Sequence, residues 1–307
     1  MSNFTADAKG VYVIAVTPFK PDGAIDEGST DRMVDYYLKT GATGLTVLGM
    51  MGEAQKLTTE ESQSIVRHIL KRVKGRVPVI VGVSAPGFAQ METLTKMVMD
   101  DGADGVMIAP PGSLRTDDQI VNYYNQVAGF IGDAPFVLQD FPLATGVQMS
   151  VSVIARIVNG LASCVCLKHE DWPGLEKISA LRKAGTLDRR ISILCGNGGL
   201  FLPEEMQRGA DGAMTGFAYP EMMVSVVREY AKGDLARGRD LFDAYLPLAR
   251  FEQQPGLGLA IRKHVLAQRG VIAHDALRSP GAALSAASQA EIALLMKRLD
   301  ARLKELN

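Results

Sequence analysis

The fold class that this sequence predicts is α/β: a closed (β/α)8 barrel, the TIM-barrel fold, with an appended C-terminal helical region. Three observations carry it. Short runs rich in Val, Ile and Leu alternate eight times with amphipathic segments. The runs lack strict polar alternation, as expected for strands buried on both faces of a parallel sheet. Two near-copies, Gly102-Ala103-Asp104-Gly105 and Gly209-Ala210-Asp211-Gly212, precede strand-like runs and read as αβ turns in which glycine supplies the left-handed helix stop.

The elements follow in order. The run 11–19 opens the barrel, and apolar residues at helical spacing over 29–40 lead to the second strand, 44–50. A helix over 58–73 starts with Thr58 and Glu61 at capping-box spacing, and a third strand follows at 78–84. The helix 89–101 stops at the first glycine turn, before the strand 105–110. Thr116-Asp117-Asp118 signals the start of the helix 117–129, and the strand 135–141 follows it. Ser150 similarly caps 150–158, and the run 164–170 is the sixth strand. The segment 173–184, the strand 191–197, the short helix 203–208, the strand 212–217 and the helix 220–232 complete the series.

Eight such units argue for closure rather than for an open doubly wound sheet, the alternative. An open sheet of that kind usually shows a Gly-rich dinucleotide turn after its first strand, and Thr17-Pro18-Phe19 is nothing like one. Helical stretches over 235–250, 257–268 and 288–306 extend the chain. The boundaries are therefore 8–232 for the barrel and 233–307 for an extension packed on it, with no low-complexity linker between them.

With 307 residues, 47% hydrophobic and 22% charged, the chain suits one barrel with additions. A formal net charge of −1 gives no attraction for nucleic acid or a membrane surface. Residues 1–10 have no apolar signal region and no apolar run is long enough to span a bilayer, so a cytoplasmic protein is the expectation. Three cysteines are too few for a disulfide framework, and Cys164, Cys166 and Cys195 look like small core residues. His68, His169, His264 and His274 form no ligand pair at metal spacing, so neither a metal nor another cofactor is expected.

The apolar run Cys164-Val165-Cys166-Leu167 ends abruptly at Lys168-His169-Glu170-Asp171. It reads as a buried strand that delivers an amine to a pocket. A desolvated amine is uncharged more often than an exposed one, and a neutral amine attacks a ketone to form a Schiff base. Barrel enzymes place their chemistry at the C-terminal ends of the strands. Those ends carry Thr17, Met50 to Glu53, Pro110-Pro111, Gln139-Asp140, Lys168 to Glu170, Gly196-Asn197-Gly198 and Thr215-Gly216, and Lys168 is the one lysine among them.

A family resemblance follows from these residues. Gly49-Met50-Met51-Gly52-Glu53 with Leu57-Thr58 and Glu60-Glu61 resembles the GxxGE signature of the dihydrodipicolinate synthase / N-acetylneuraminate lyase superfamily. Val16-Thr17-Pro18-Phe19, Asp140-Phe141-Pro142, Leu167-Lys168 and the turn at Gly209 fall in the matching order, so the resemblance covers about residues 10–300. It implies a class I Schiff-base lyase in which Lys168 forms an imine with the C2 ketone of a 2-oxo acid. It places the substrate carboxylate on the backbone N–H groups of Met50 and Met51, a kind of donor that a turn supplies without a basic side chain. Gly196 resembles the family's small residue beside the oxo acid, and Met214 its apolar wall. A homo-oligomer, tetramer or dimer, is implied as well.

Four features depart from the synthase branch of that family. Its two threonines within GxxGE are Met50 and Met51 here, and its tyrosine before Asn-x-Pro is Gln139. Its arginine for the second substrate's carboxylate aligns with Ala144, and its relay tyrosine falls in Pro110-Pro111-Gly112-Ser113. Gln139-Asp140-x-Pro, Thr215-Gly216 with Tyr219-Pro220, and Leu246-Pro247-Leu248 with Phe251-Glu252 look most like the branch that includes 2-keto-3-deoxy-L-arabonate dehydratase. Such an elimination needs an acid or base near C3–C4. Glu170 is the candidate, because a residue two beyond Lys168 shares its strand face if the strand continues that far. Glu170 reads equally as a cap or ion pair in the loop before Pro173, and Gln139 either orients substrate hydroxyls or fills the barrel mouth. Glu53 reads as an anchor of its loop through backbone hydrogen bonds. Gly196-Asn197-Gly198-Gly199 has the look of a phosphate loop but matches a pocket-lining turn of the family.

The expected activity is thus aldol cleavage or dehydration of a 2-keto-3-deoxy sugar acid or related hydroxy-oxo acid. The alternatives are a 4-hydroxy-tetrahydrodipicolinate synthase that condenses pyruvate with an aldehyde, and a barrel that binds 2-oxo acids without turnover.

Overall fold

The computed structural model describes residues 4–172 and 174–306. Eight parallel strands close on themselves in chain order. They are β1 Gly10–Ile14, β2 Gly44–Val47, β3 Val79–Gly82, β4 Gly105–Ile108, β5 Phe136–Asp140, β6 Cys164–His169, β7 Ser192–Cys195 and β8 Gly212–Thr215. The surrounding helices are α1 Glu27–Lys39, α2 Thr59–Val73, α3 Phe88–Asp100, α4 Asp117–Ile131, α5 Pro142–Thr145, α6 Val151–Gly160, α7 Leu175–Arg182, α8 Leu202–Gln207 and α9 Pro220–Lys232. The expected barrel is therefore present, with α5, a single turn after β5, as the element the sequence did not suggest. The expected start of α7 at Pro173 lies outside the described residues.

The strands are shorter than their apolar runs. β1 ends at Ile14, yet Ala15, Val16 and Phe19 beyond it remain buried. Hydrophobic patterning reports burial, and these residues stay buried after the chain has left the ladder to form the loops at the barrel mouth. Helix starts were more legible. Thr58 with Glu61 and Thr116 with Gln119 make complete capping boxes, and Ser150 caps α6 through the Val153 N–H. The two glycine turns also do the same work. In each, the aspartate accepts a backbone N–H from the preceding strand: Val79 N–H to Asp104 at 2.9 Å, Ile193 N–H to Asp211 at 3.0 Å.

The core has two parts. One lies between strands and helices; the other fills the barrel with Tyr12, Ile80, Met107, Val137, Cys166 and Met214. Phe4 packs edge-on against Tyr12, with ring centroids 5.5 Å apart. A barrel so filled is a packed core rather than a pore, and leaves its chemistry to the rim.

Beyond the barrel, α10 Leu235–Glu252 packs on α9, and α12 Ala286–Leu306 on α10. Between them, α11 Gly258–Gln268 and the segment that follows it run back to the barrel mouth, as the contacts of Lys263 and Arg278 show below. Among the described residues, no helix is long and apolar enough to cross a membrane.

Candidate active site

Side chains on β6 alternate between two environments. Cys166 points into the barrel, so Lys168, two residues on, points the same way, and it is 5% exposed. Register places Lys168 between Gln139 of β5 and Leu194 of β7. Two groups converge on one oxygen of Glu170: Lys168 Nζ lies 3.1 Å from Oε2, and Gln139 Nε2 donates to that same atom at 2.7 Å. The other oxygen, Oε1, accepts no hydrogen bond from the described residues.

Glu170 is held from three sides. Its N–H donates to the Asp140 carbonyl at 2.8 Å, and its own carbonyl accepts Asn197 Nδ2 at 2.9 Å. On the third side is Gly196, whose N–H donates to the His169 carbonyl at 2.8 Å. A β-carbon at Gly196 would stand 2.0 Å from Glu170 Cγ, so only glycine leaves the carboxylate where it is. The small residue expected beside the substrate is thus first of all the seat of Glu170.

The intervening residues face outward. His169 Nδ1 is 3.1 Å from Glu205, and Asp140 pairs with Lys177 at 2.8 Å. Burial pushes the Asp140 carboxyl above the usual range, while the Lys177 ammonium pulls the other way. Neither His169 nor Asp140 reaches the face that Lys168 and Glu170 share.

Facing this cluster is the turn Met50–Gly52, a single 3-10 turn. It is bracketed by two non-glycine residues in the left-handed region, Leu48 at φ 54° and Glu53 at φ 55°. Each such residue costs on the order of 1–3 kcal/mol and persists only where its surroundings over-determine it. Thr17 supplies one restraint, donating its hydroxyl to the Gly52 carbonyl at 2.6 Å. The backbone N–H groups of Met50 and Met51 have no acceptor among the described residues. Met50 is 44% exposed, Met51 leans on the barrel interior, and Met214 is wholly buried there, so Met214 belongs to the floor beneath the site.

Glu53 supplies the other restraint, with stronger partners than the sequence suggested. One oxygen meets Lys263 Nζ at 2.5 Å; the other meets Lys56 Nζ at 2.8 Å and accepts the Arg278 N–H at 3.1 Å. Only the last is a backbone bond. Lys263 is fully buried, donates to the Ala276 carbonyl at 2.9 Å and stands 4.5 Å from the centre of the Phe19 ring. Burial lowers its pKa, and Glu53 opposes that shift. The C-terminal extension is in this way bolted to the turn. Lys263→Met is expected to cost about 3 kcal/mol, because it strips a buried carboxylate of its nearest cation. The double variant with Glu53→Gln should lose less than the sum of the two single losses. Urea unfolding checks both, and additive losses would show that the pair is not coupled.

Other residues near the strand ends are packed. Burial pushes the Cys164 thiol up to about 12 and holds the other two cysteines up as well, as suits core residues. Tyr219 lies under the Arg269 guanidinium, 3.8 Å from its ring centre, and is buried.

A buried amine at the mouth of a closed parallel barrel, a carboxylate in contact with it and free N–H groups opposite define a class of protein, the barrel lyases that work through a lysine Schiff base. The chain belongs to the dihydrodipicolinate synthetase family, whose sequence pattern matches residues 7–299. It is 29% identical to an L-2-keto-3-deoxyarabonate dehydratase of Azospirillum brasilense, over 97% of each chain. It is also 30% identical to a 4-hydroxy-tetrahydrodipicolinate synthase of Pelobacter propionicus, over 94% of this chain and 98% of the other. A crystal structure described as dihydrodipicolinate synthase from Rhodopseudomonas palustris superimposes with a TM-score of 0.94 at 53% identity, covering 97% of this chain and all of that one.

Proposed function

We propose that this lyase dehydrates a 2-keto-3-deoxy sugar acid through an imine on Lys168, with Glu170 as the proton carrier. The observation that carries the reading is the Glu170 carboxylate, with one oxygen shared by Lys168 and Gln139 and the other free. The Lys168 amine attacks the C2 ketone, water leaves, and a protonated imine forms. Its positive nitrogen makes the C3–H bond acidic, and Glu170 takes that proton to give an enamine. The enamine electrons then expel the C4 hydroxyl, which leaves as water with the proton that Glu170 returns. Hydrolysis of the conjugated imine frees Lys168, and the net change is loss of one water. The Met50 and Met51 N–H groups would receive the substrate carboxylate, and Gln139 fixes the orientation of Glu170.

A synthase reading has the Pelobacter and Rhodopseudomonas relatives in its favour. Against it stand Ala144, where the aldehyde's carboxylate would need a cation, and Met50, Met51 and Gln139, of which the thioethers relay no proton. Borohydride reduction in the presence of pyruvate is expected to add the reduced pyruvoyl mass to the Lys168 peptide. A panel of 2-keto-3-deoxy acids should then give a dehydrated product, with no condensation of pyruvate and aspartate semialdehyde. A label on another lysine, or none, would overturn the imine at Lys168. Labelling without turnover of any panel member would leave a binding barrel.

A further inference from the structure

We propose that Gln253, contributed by the C-terminal extension, reads the hydroxylated tail of the substrate beyond C4 and so sets chain-length preference. This rests on the imine reading above.

The segment 253–257 is fastened at its base. Glu252, the last residue of α10, is fully buried, pairs with Arg262 at 2.6 Å and accepts the Ala218 N–H at 3.0 Å. Arg262 in turn donates to the carbonyl of Gly216, just past the end of β8. Where the segment re-enters helix at Gly258, a β-carbon would lie 3.8 Å from Met51 Cε. At the other end, a β-carbon on Gly198 would lie 2.2 Å from Gln253 Nε2, so this side chain rests flat against that residue. Gly198 has φ 64° and donates its N–H to the Thr215 hydroxyl at 2.8 Å. The same turn holds Glu170 in place through Gly196 and Asn197. The segment therefore runs from the turn assigned to the carboxylate to the turn that backs the acid–base group.

On that reading, a substrate with C1 at Met50–Met51, C2 on Lys168 and C3–C4 at Glu170 would extend its remaining carbons past Glu170, beside which the Gly196–Gly199 turn and Gln253 lie. The Gln253 amide stands there, half-buried, with no side-chain partner among the described residues. An amide both donates and accepts, which matches a hydroxyl, and it carries no charge to attract a second carboxylate. The occupant that fits is an uncharged, hydroxylated tail of a five- or six-carbon acid.

The test compares a five-carbon 2-keto-3-deoxy acid with 4-hydroxy-2-oxobutanoate, which has the C4 hydroxyl but no tail. The wild type should prefer the longer acid in kcat/KM. In Gln253→Ala and Gln253→Leu that preference should fall about tenfold, the loss of one hydrogen bond to a neutral hydroxyl, mainly through KM. Because only the ratio is read, a general loss of stability does not imitate the result. An unchanged ratio, with pyruvate still trapped on Lys168, would overturn the role of Gln253 alone. A wild type that traps no pyruvate would overturn the imine reading and this role with it.

Discussion

Lys168→Ala is expected to abolish pyruvate labelling and to lower kcat on the dehydrated substrate by at least about 10⁴-fold, as removal of a covalent catalyst typically does. Lys168→Arg should be as inactive. A guanidinium keeps the charge and the contact with Glu170 but has no neutral form at working pH with which to attack a ketone. The arginine variant thereby separates loss of the nucleophile from loss of the ion pair, which alanine alone would confound. Both variants should fold, because Glu170 Oε2 keeps its bond from Gln139 when Lys168 is gone. Circular dichroism and urea unfolding check that point. Labelling that moves to another lysine would count against the assignment. Lys177 is the nearest rival in sequence, but it is committed to Asp140 and Asp171 at 2.8 Å each.

The contrast between Lys168 and Lys263 shows what a single sequence makes legible. Lys168 stands at the end of a strand, where its apolar run, the βα series and the rule that barrel chemistry sits at strand ends all meet on one residue. Strand period pointed to Glu170 beside Lys168, and the two are in contact although β6 ends at His169, one residue short of Glu170. Gln139 was placed by its own strand end, but its bond to Glu170 is a role that neither of its two sequence readings named. Lys263 had no comparable signal. It lies in a helix of the extension, among residues whose pattern does not separate a buried lysine from a solvated one, and its partner Glu53 is 210 positions away. Gln253 was equally silent, since nothing local says that the loop after α10 returns to the Gly196–Gly199 turn. Residues that inherit their place from the barrel's periodicity were visible, and those placed by long-range packing of the extension were not. The same limit explains Glu53, whose anchoring role was legible but whose partners were not, because two of them, Lys263 and Arg278, come from the far end of the chain.

Glu170→Gln should separate the step before the imine from the step after it. The amide keeps the size and the packing against Gly196, and it can still bond Gln139, but it cannot take up and return the C3 proton. Turnover should therefore fall by about 10²–10⁴-fold, the usual worth of a positioned acid–base group. Pyruvate labelling on Lys168 should persist, since attack on the ketone needs the amine rather than the carboxylate. Exchange of the C3 protons of bound pyruvate with deuterated water, read by NMR, should slow by a similar factor, because that exchange is the same proton transfer without the elimination. Gly196→Ala reaches the same step by another route: its β-carbon, 2.0 Å from Glu170 Cγ, must push the carboxylate off its position while leaving the side chain chemically intact. Slowed exchange in both variants, with labelling retained in both, is the outcome that a carboxylate acting from this one place requires. Normal exchange in Glu170→Gln would assign the proton to another group and leave Glu170 as no more than the counter-ion of Lys168.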